Sequence, residues 1–364
     1  MAMIVAEIGT SHEGNEKKAF ELIDCAVSSG CDAVKFQWVY ADEILHPKTG
    51  FVNLPTGKIP LYERFKQLEC SPEFYEKMKN YAHSKGVKFI CSPFGIKSLH
   101  ELIEIKPDFI KIASPELNHF PMLKELSHYD FPIIISSGVS VLADIENALS
   151  ILKKNDVSLL HCITSYPAPE SEYNLKLIEN LARIFGIPVG VSDHSLNPIL
   201  VPVLSIMCGA KIIEKHITLS RKNSGLDDPV ALEGEQFALM VHCVHQAECV
   251  LNRYGYEKGR TEILKQLGES YDEKLILSVL GDGVKKLAQS EEKNYGRTNR
   301  SLHYTKDLAA GTCVSFDDIA VLRTEKVLSP GISPCYLDTV CGFKLCKNVR
   351  SGDGVQFCDF MSKN

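Results

Sequence analysis

AKIIEKHITLS, residues 210–220, begins as a buried β-strand and then breaks the pattern of one. Ala210, Ile212 and Ile213 are apolar, and isoleucine favours a pleated, buried surface. Glu214, Lys215 and His216 follow at once, with no turn residue between. A strand that simply reaches solvent accounts for this segment taken alone. Strand alternation offers another reading. Glu214 and His216 share one face, while Lys215 points to the other, toward helices or solvent.

The neighbouring segments decide between the two. Seven further short apolar runs precede this one: MIVAEI (3–8), DAVKFQ (32–37), VKFICS (87–92), FIKIAS (109–114), PIIISS (132–137), VSLLHC (157–162) and PVGVSD (188–193). AKIIEKH (210–216) is the eighth. Helical patterns separate them: EKKAFELIDCAVSSG stops at Gly30, and PEFYEKMKNYAHSKG opens on proline and stops at Gly86. LADIENALSILKK and NLKLIENLARIFG behave the same way. Short apolar strands alternating with helices predict a parallel sheet buried on both faces. Eight such units in about 250 residues predict a closed (β/α)8 TIM barrel. An open doubly wound sheet ranks lower, because no G-x-G-x-x-G follows the first strand.

The barrel takes residues 1–255. The stretch 38–70, with HPKTGFVNLPTGKIP, is too long for a routine βα connection and reads as an extended loop over the site face. Residues 256–298 are polar and read as a linker. Residues 299–364 carry short strand patterns with glycine turns, in RSLHYTKDLAAGTCVSFDDIAVLR and GFKLCKNVRSGDGVQFCDF, and form a small, mostly β domain.

The composition is that of a globular protein: 364 residues, 45% hydrophobic and 24% charged. A net charge of −6 argues against a nucleic-acid partner, which needs a basic face. A few local lysines can still hold an anionic substrate. No run approaches the ~20 apolar residues that span a bilayer. MAMIVAEIG lacks the basic region of a signal peptide, so a cytoplasmic protein is expected. The thirteen cysteines form no C-x-x-C pair. Cys25, Cys91, Cys162 and Cys208 lie in apolar stretches, as expected of reduced, buried thiols.

Every expected strand ends in polar or ionisable residues. The first ends at Glu7, the second at Lys35 and Gln37, and the third at Ser92. The fourth ends at Lys111 and Ser114, the fifth at Ser136 and Ser137, and Thr164 and Tyr166 follow the sixth. The seventh ends at Ser192 and His194, the eighth at Glu214 and His216. In a barrel these ends converge on the face that carries active sites. Lys35 and Lys111 sit inside apolar strands, where an unpaired ammonium is costly. With serines on adjacent strands they make an anion pocket, or they pair with Glu7 or Glu214. His194 and His216 end adjacent strands and suit two ligands of a divalent metal in an oxygen-rich shell, or hydrogen-bonded histidines without metal. Glu7 and Glu214 meet across the barrel closure, where carboxylates bind sugar hydroxyls or transfer protons. Asp227 lies in the next loop, over the same face. His12, His161, His242 and His245 read as packing or surface residues.

IVAEIGTSHEGN, DAVKFQ, CSPF, IKIASPELNHFPML, ISSGVS, LLHCITSYPAP, VGVSDHS and IEKHITL, in this order and spacing, closely resemble the sialic acid synthase family. That family includes N-acetylneuraminate, legionaminate and pseudaminate synthases and the spore-coat polysaccharide enzymes. The closing segment resembles its small antifreeze-like (SAF) domain. The resemblance implies condensation of phosphoenolpyruvate with an open-chain N-acyl hexosamine, N-acetylmannosamine or a 2,4-diacetamido-trideoxy hexose. The products are a nine-carbon 2-keto acid sugar and phosphate. It implies phosphoenolpyruvate contacts at Lys35, Ser92, Lys111, Ser114, Ser136 and Ser192, with Mn²⁺ or Mg²⁺ on His194 and His216. Gln37, Tyr166, Glu214 and Asp227 would contact the sugar, and Glu7 would activate water or move a proton. It further implies a domain-swapped homodimer in which Arg300 reaches the acyl group in the partner's site. The chain departs from the usual pattern at Ser11, Ser92, Thr164, Leu226–Asp228 and the long loop 38–70, and the last three bear on the acceptor. Rival readings are a synthase using a phosphorylated sugar aldehyde and a non-catalytic glycan-binding protein.

Overall fold

The computed structural model describes residues 1–54, 57–223 and 225–360. Eight parallel strands form its centre: β1 (Met3–Gly9), β2 (Ala33–Trp38), β3 (Lys88–Pro93), β4 (Phe109–Ile112), β5 (Ile133–Ser136), β6 (Val157–Cys162), β7 (Val189–Asp193) and β8 (Ile212–Thr218). Each pairs with the next, and β1 pairs with β8 to close the barrel. Outside them lie α1 (Glu16–Ser28), α2 (Pro72–Ser84), α3 (Ile96–Glu104), α4 (Phe120–Leu126), α5 (Leu142–Ile151), α6 (Lys176–Phe185), α7 (Leu200–Met207) and α8 (Gly234–Tyr254). This is the (β/α)8 barrel that the alternating pattern predicts.

The side-chain alternation places the chemistry. Val5, Ala33, Ile90, Ile134, Leu160 and Ile212 pack together as the dry floor of the barrel interior. Two residues further along three of these strands stand Glu7, Lys35 and Glu214, and His216 follows at the next inward position of β8. The floor is apolar and the layer above it is ionic. On β8 the odd positions Ile213 and Ile217 join the core between sheet and helices. Lys215 also points outward but does not reach solvent. Its Nζ is buried 2.6 Å from Asp193 Oδ2 and 2.5 Å from the Ser195 carbonyl.

Two segments differ from expectation. The segment 256–298 is not all linker, because α9 (Tyr256–Gly268) and α10 (Glu273–Leu280) occupy its first part. Ile263, Leu267, Ile276, Val279 and Leu280 join the main core. Their three- and four-residue spacing is a helical signal that the surrounding charges mask. The loop 38–70 carries helical turns at Ala41–Ile44 and Leu61–Lys66 and a hairpin, Phe51–Leu54 with Gly57–Pro60. Val39, Ile44, Leu45, Leu61, Leu68 and Phe94 give it a core of its own. Positions 55–56 of that loop and 361–364 of the expected small domain lie outside the described residues. The cysteines also divide differently. Cys91, Cys162 and Cys208 are buried and Cys25 is half-buried, but Cys249, Cys313, Cys335, Cys346 and Cys358 are exposed. Thiols on the small domain have little core to enter.

That small unit pairs β9 (Arg300–Tyr304) antiparallel with β10 (Ile319–Arg323). Leu302, Tyr304, Val314, Ile319, Val340, Leu345, Val349 and Val355 form its separate core. It docks on the barrel of its own chain. Thr49 Oγ1 donates to the Thr324 carbonyl, and the Thr49 carbonyl accepts from Lys326 and Val327. No helix among the described residues is long and apolar enough to cross a membrane.

Candidate active site

The strand register brings the ionic layer together. Glu7 stands beside Lys35 on one side and His216 on the other, and Glu214 stands beside Ser192. Lys35 Nζ lies 2.9 Å from Glu7 Oε1 and 3.7 Å from Glu214 Oε2. Lys111 Nζ lies 3.8 Å from Glu214 Oε1 and donates to Ser136 Oγ at 2.7 Å. Gln37 Nε2 donates to Glu7 Oε1 at 2.7 Å, and Ser192 Oγ donates to Glu214 Oε1 at 2.9 Å. Both lysines pair with the carboxylates, and Lys111 also faces a serine.

All four charged side chains are buried. Burial opposes charge on Glu214, but Lys111 and Lys35 outweigh it and hold its carboxyl down at about 2. For Lys35, burial is outweighed by Glu214 and Glu7, which raise its pKa. Lys111 is the reverse case, since burial dominates and lowers it. Charged pairs of this kind are costly to leave half-made, at about 3–5 kcal/mol per removed partner.

The two histidines face each other with ring centroids 5.5 Å apart. His194 Nδ1 lies 2.8 Å from the Ile163 carbonyl, so that nitrogen carries a proton and Nε2 is the one left for a ligand. Burial disfavours charge there, yet Cys162, its Sγ 3.8 Å from Nδ1, raises the His194 pKa to about 9. A cation at Nε2 would displace a proton. Burial lowers His216 to about 3, which keeps it neutral. Its Nδ1 is buried without a hydrogen-bond partner, 4.0 Å from Asp227 Oδ2. Burial pushes the Asp227 carboxyl up to about 6. Tyr166 stacks on His194 at 4.3 Å. Among the described residues no three His, Cys, Asp or Glu side chains could hold a metal by themselves. His216 Nδ1, without a hydrogen-bond partner, and His194 Nε2, 3.4 Å from Ser192 Oγ, fit an open site whose remaining ligands are oxygens of substrate and solvent.

Ser114, Ser136, Gly138 and Thr164 form the adjoining wall. Gly138 N donates to Ser114 Oγ at 3.0 Å. A Cβ on Gly138 would lie 2.0 Å from Thr164 Oγ1, so only glycine fits there. Ser92 Oγ, Glu7 Oε2 and Glu214 Oε2 are, like His216 Nδ1, buried polar atoms without hydrogen-bond partners. Each such atom costs about 1–3 kcal/mol unless a ligand satisfies it.

Arg300 lies where the small domain meets the barrel of its own chain. Its guanidinium is wholly buried at the rim, paired with Glu116 and donating to the carbonyls of Glu43, Phe94 and Val321. Within the single chain these contacts latch the small domain to its own barrel. Sequence reasoning missed Glu116, which also pairs with Arg323. The signal was present in SPE directly after β4, a carboxylate at a strand end like the others.

A family model described as the NeuB family matches residues 22–255. The chain is 31% identical over 360 residues to the N,N'-diacetyllegionaminic acid synthase of Legionella pneumophila, covering 96% of this chain and 92% of that one. It is 31% identical over 367 residues to the spore coat polysaccharide biosynthesis protein SpsE of Bacillus subtilis, covering 99% and 94%. The crystal structure of that SpsE superimposes with a TM-score of 0.81, covering all of this chain and 96% of the other.

Proposed function

The chain belongs to the NeuB family, the sialic acid synthases, and on that premise we propose that it condenses phosphoenolpyruvate with an open-chain N-acyl hexosamine. The acceptor class is N-acetylmannosamine or a 2,4-diacetamido-trideoxy hexose. Two relatives bear the name N,N'-diacetyllegionaminic acid synthase, which favours the second. C3 of phosphoenolpyruvate forms a bond to the aldehyde carbon. The aldehyde oxygen takes a proton, water adds at C2, and phosphate leaves by C–O cleavage. The reaction would be cytoplasmic.

The observation that carries this reading is the convergence of Ser92 Oγ, Glu7 Oε2, Glu214 Oε2 and His216 Nδ1, all buried without hydrogen-bond partners, beside two buried lysines. Lys35 and Lys111 would hold the carboxylate and phosphate of phosphoenolpyruvate, with Ser92, Ser114, Ser136, Thr164 and Ser192 donating hydrogen bonds. Anion binding would draw both lysines from Glu214, their longer contact. Gln37 and Lys35 engage Glu7 Oε1 and leave Oε2 free to take the proton of the attacking water. Gln37, Tyr166, Glu214 and Asp227 would orient the acceptor. His194 and His216 would hold Mn²⁺ or Mg²⁺, which when bound supplies Lewis-acid polarisation of the aldehyde oxygen.

Phosphoenolpyruvate carrying ¹⁸O at its bridging oxygen tests the chemistry. C–O cleavage delivers the label to inorganic phosphate. Label retained in the keto acid would overturn the proposed step.

A further inference from the structure

The segment between α10 and the small domain grips one loop of the site face. Lys285 Nζ donates to the Ser137 carbonyl, and Asn299 Nδ2 donates to the Val139 carbonyl, each at 3.0 Å. Glu291, fully buried, lies between them. Its Oε1 accepts from the backbone N–H of Val139 and of Thr164, each at 2.7 Å, and its Oε2 accepts from Ala288 N at 3.3 Å. Val139 follows β5 and Thr164 follows β6, so one carboxylate oxygen ties the ends of two neighbouring strands.

These two loops carry the serine-lined wall. Ser136 receives Lys111, Gly138 N donates to Ser114 Oγ, and Thr164 Oγ1 fills the space beside Gly138. Val139 itself sits at φ +42°, in the left-handed region that a β-branched residue avoids. Hydrogen bonds to both its N–H and its carbonyl, from Glu291 and Asn299, hold it there. Neither partner belongs to the barrel strands, and neither touches the ionic layer.

We infer that Glu291 is a positioning residue for the serine-lined wall of the proposed phosphoenolpyruvate pocket. By accepting the Val139 and Thr164 amides together, it sets the spacing of the Ser114–Ser136–Gly138 wall against Thr164. It also links that spacing to the segment that leads into the small domain. The inference rests on the phosphoenolpyruvate reading above.

The test compares wild type, Glu291→Ala, Glu291→Asp and Glu291→Gln in the full chain. Phosphoenolpyruvate binding is measured by calorimetry and KM for each substrate by steady-state kinetics, with folding checked by circular dichroism. Glutamine keeps an oxygen that can accept both amides, and should bind within about threefold of wild type. Alanine removes the acceptor and aspartate withdraws it. Both should weaken phosphoenolpyruvate binding about tenfold or more, the scale of a lost charge-assisted hydrogen bond, with acceptor KM within about threefold. If alanine does not fold, aspartate carries the test. Unchanged phosphoenolpyruvate affinity in the folded variants, an equal rise in both KM values, or a glutamine variant as weak as alanine overturns the inference while leaving the reaction intact. A wild-type chain that does not bind phosphoenolpyruvate overturns both.

Discussion

Glu7 and Lys35 meet at 2.9 Å on adjacent strands, where each is almost wholly buried. Neither charge has water to fall back on. Lys35→Ala should therefore abolish phosphate release and also destabilise the fold by about 3–5 kcal/mol, because it leaves two buried carboxylates with one ammonium. Lys35→Met should lose activity equally and restore part of the packing. Denaturant midpoints and phosphate release measured on the same preparations separate the two effects.

Glu116 pairs with both Arg300 and Arg323, which the small domain contributes. Glu116→Gln should loosen the small domain more than the barrel. The expected readout is faster limited proteolysis within 281–299, with barrel circular dichroism retained. Proteolysis at the wild-type rate would show that the latch lies elsewhere.

His12, His119 and His161 fold neutral, as His216 does. Burial, their largest influence, lowers His12 to about 4 and His119 and His161 to about 3. Unfolded histidine titrates near 6.5, so below that pH the unfolded chain binds more protons and stability falls. The loss begins as pH drops through about 6.5 and runs down to the folded values. Glu116, lowered by Arg300 and Arg323 against its burial, adds its loss only below about 4.5. Between pH 6.5 and 5 the fall should therefore come from histidines, opposed by Asp227, whose carboxyl takes up a proton in the folded chain at about 6. His119 Nδ1 accepts from Met122 N at the start of α4, a role that asparagine can keep without titrating. His119→Asn should flatten the pH dependence of the denaturation midpoint in that window, and an unchanged slope would remove His119 from the set.

Gly138 admits no side chain, since a Cβ would lie 2.0 Å from Thr164 Oγ1. Gly138→Ala should weaken phosphoenolpyruvate binding by about tenfold or more, while Gly138→Ala with Thr164→Ala should recover part of it. Calorimetric titration of both variants decides.

His216 keeps a buried, unpartnered Nδ1. A chelator should stop turnover, and Mn²⁺ should restore it. His216→Ala should remove Mn²⁺ binding measured by calorimetry. Retained Mn²⁺ affinity in that variant would place the cation on other residues.

Most of the barrel was legible because its strands are short runs of Val and Ile between well-capped helices, as at Ile133–Ser136. The ionic layer was legible because Glu214 and His216 interrupt an apolar strand with period two. Helices α9 and α10 were hidden, since their buried Ile263, Leu267 and Ile276 are sparse among charges. Arg300 could not be placed from the chain alone. Its partners Glu116, Glu43, Phe94 and Val321 come from four separate segments, and only the docked small domain brings them together. Glu291 escaped for the same reason, since its contacts are to backbone amides, which carry no residue signature.

The most direct measurement is phosphate release from phosphoenolpyruvate with Mn²⁺, run in parallel with N-acetylmannosamine, with 2,4-diacetamido-2,4,6-trideoxy hexoses and with a phosphorylated N-acyl hexosamine. Release that requires an unphosphorylated N-acyl hexosamine and stops with a chelator is the expected result, and it names the acceptor. Release with the phosphorylated sugar alone, or with no acceptor from folded protein, would contradict the proposed condensation.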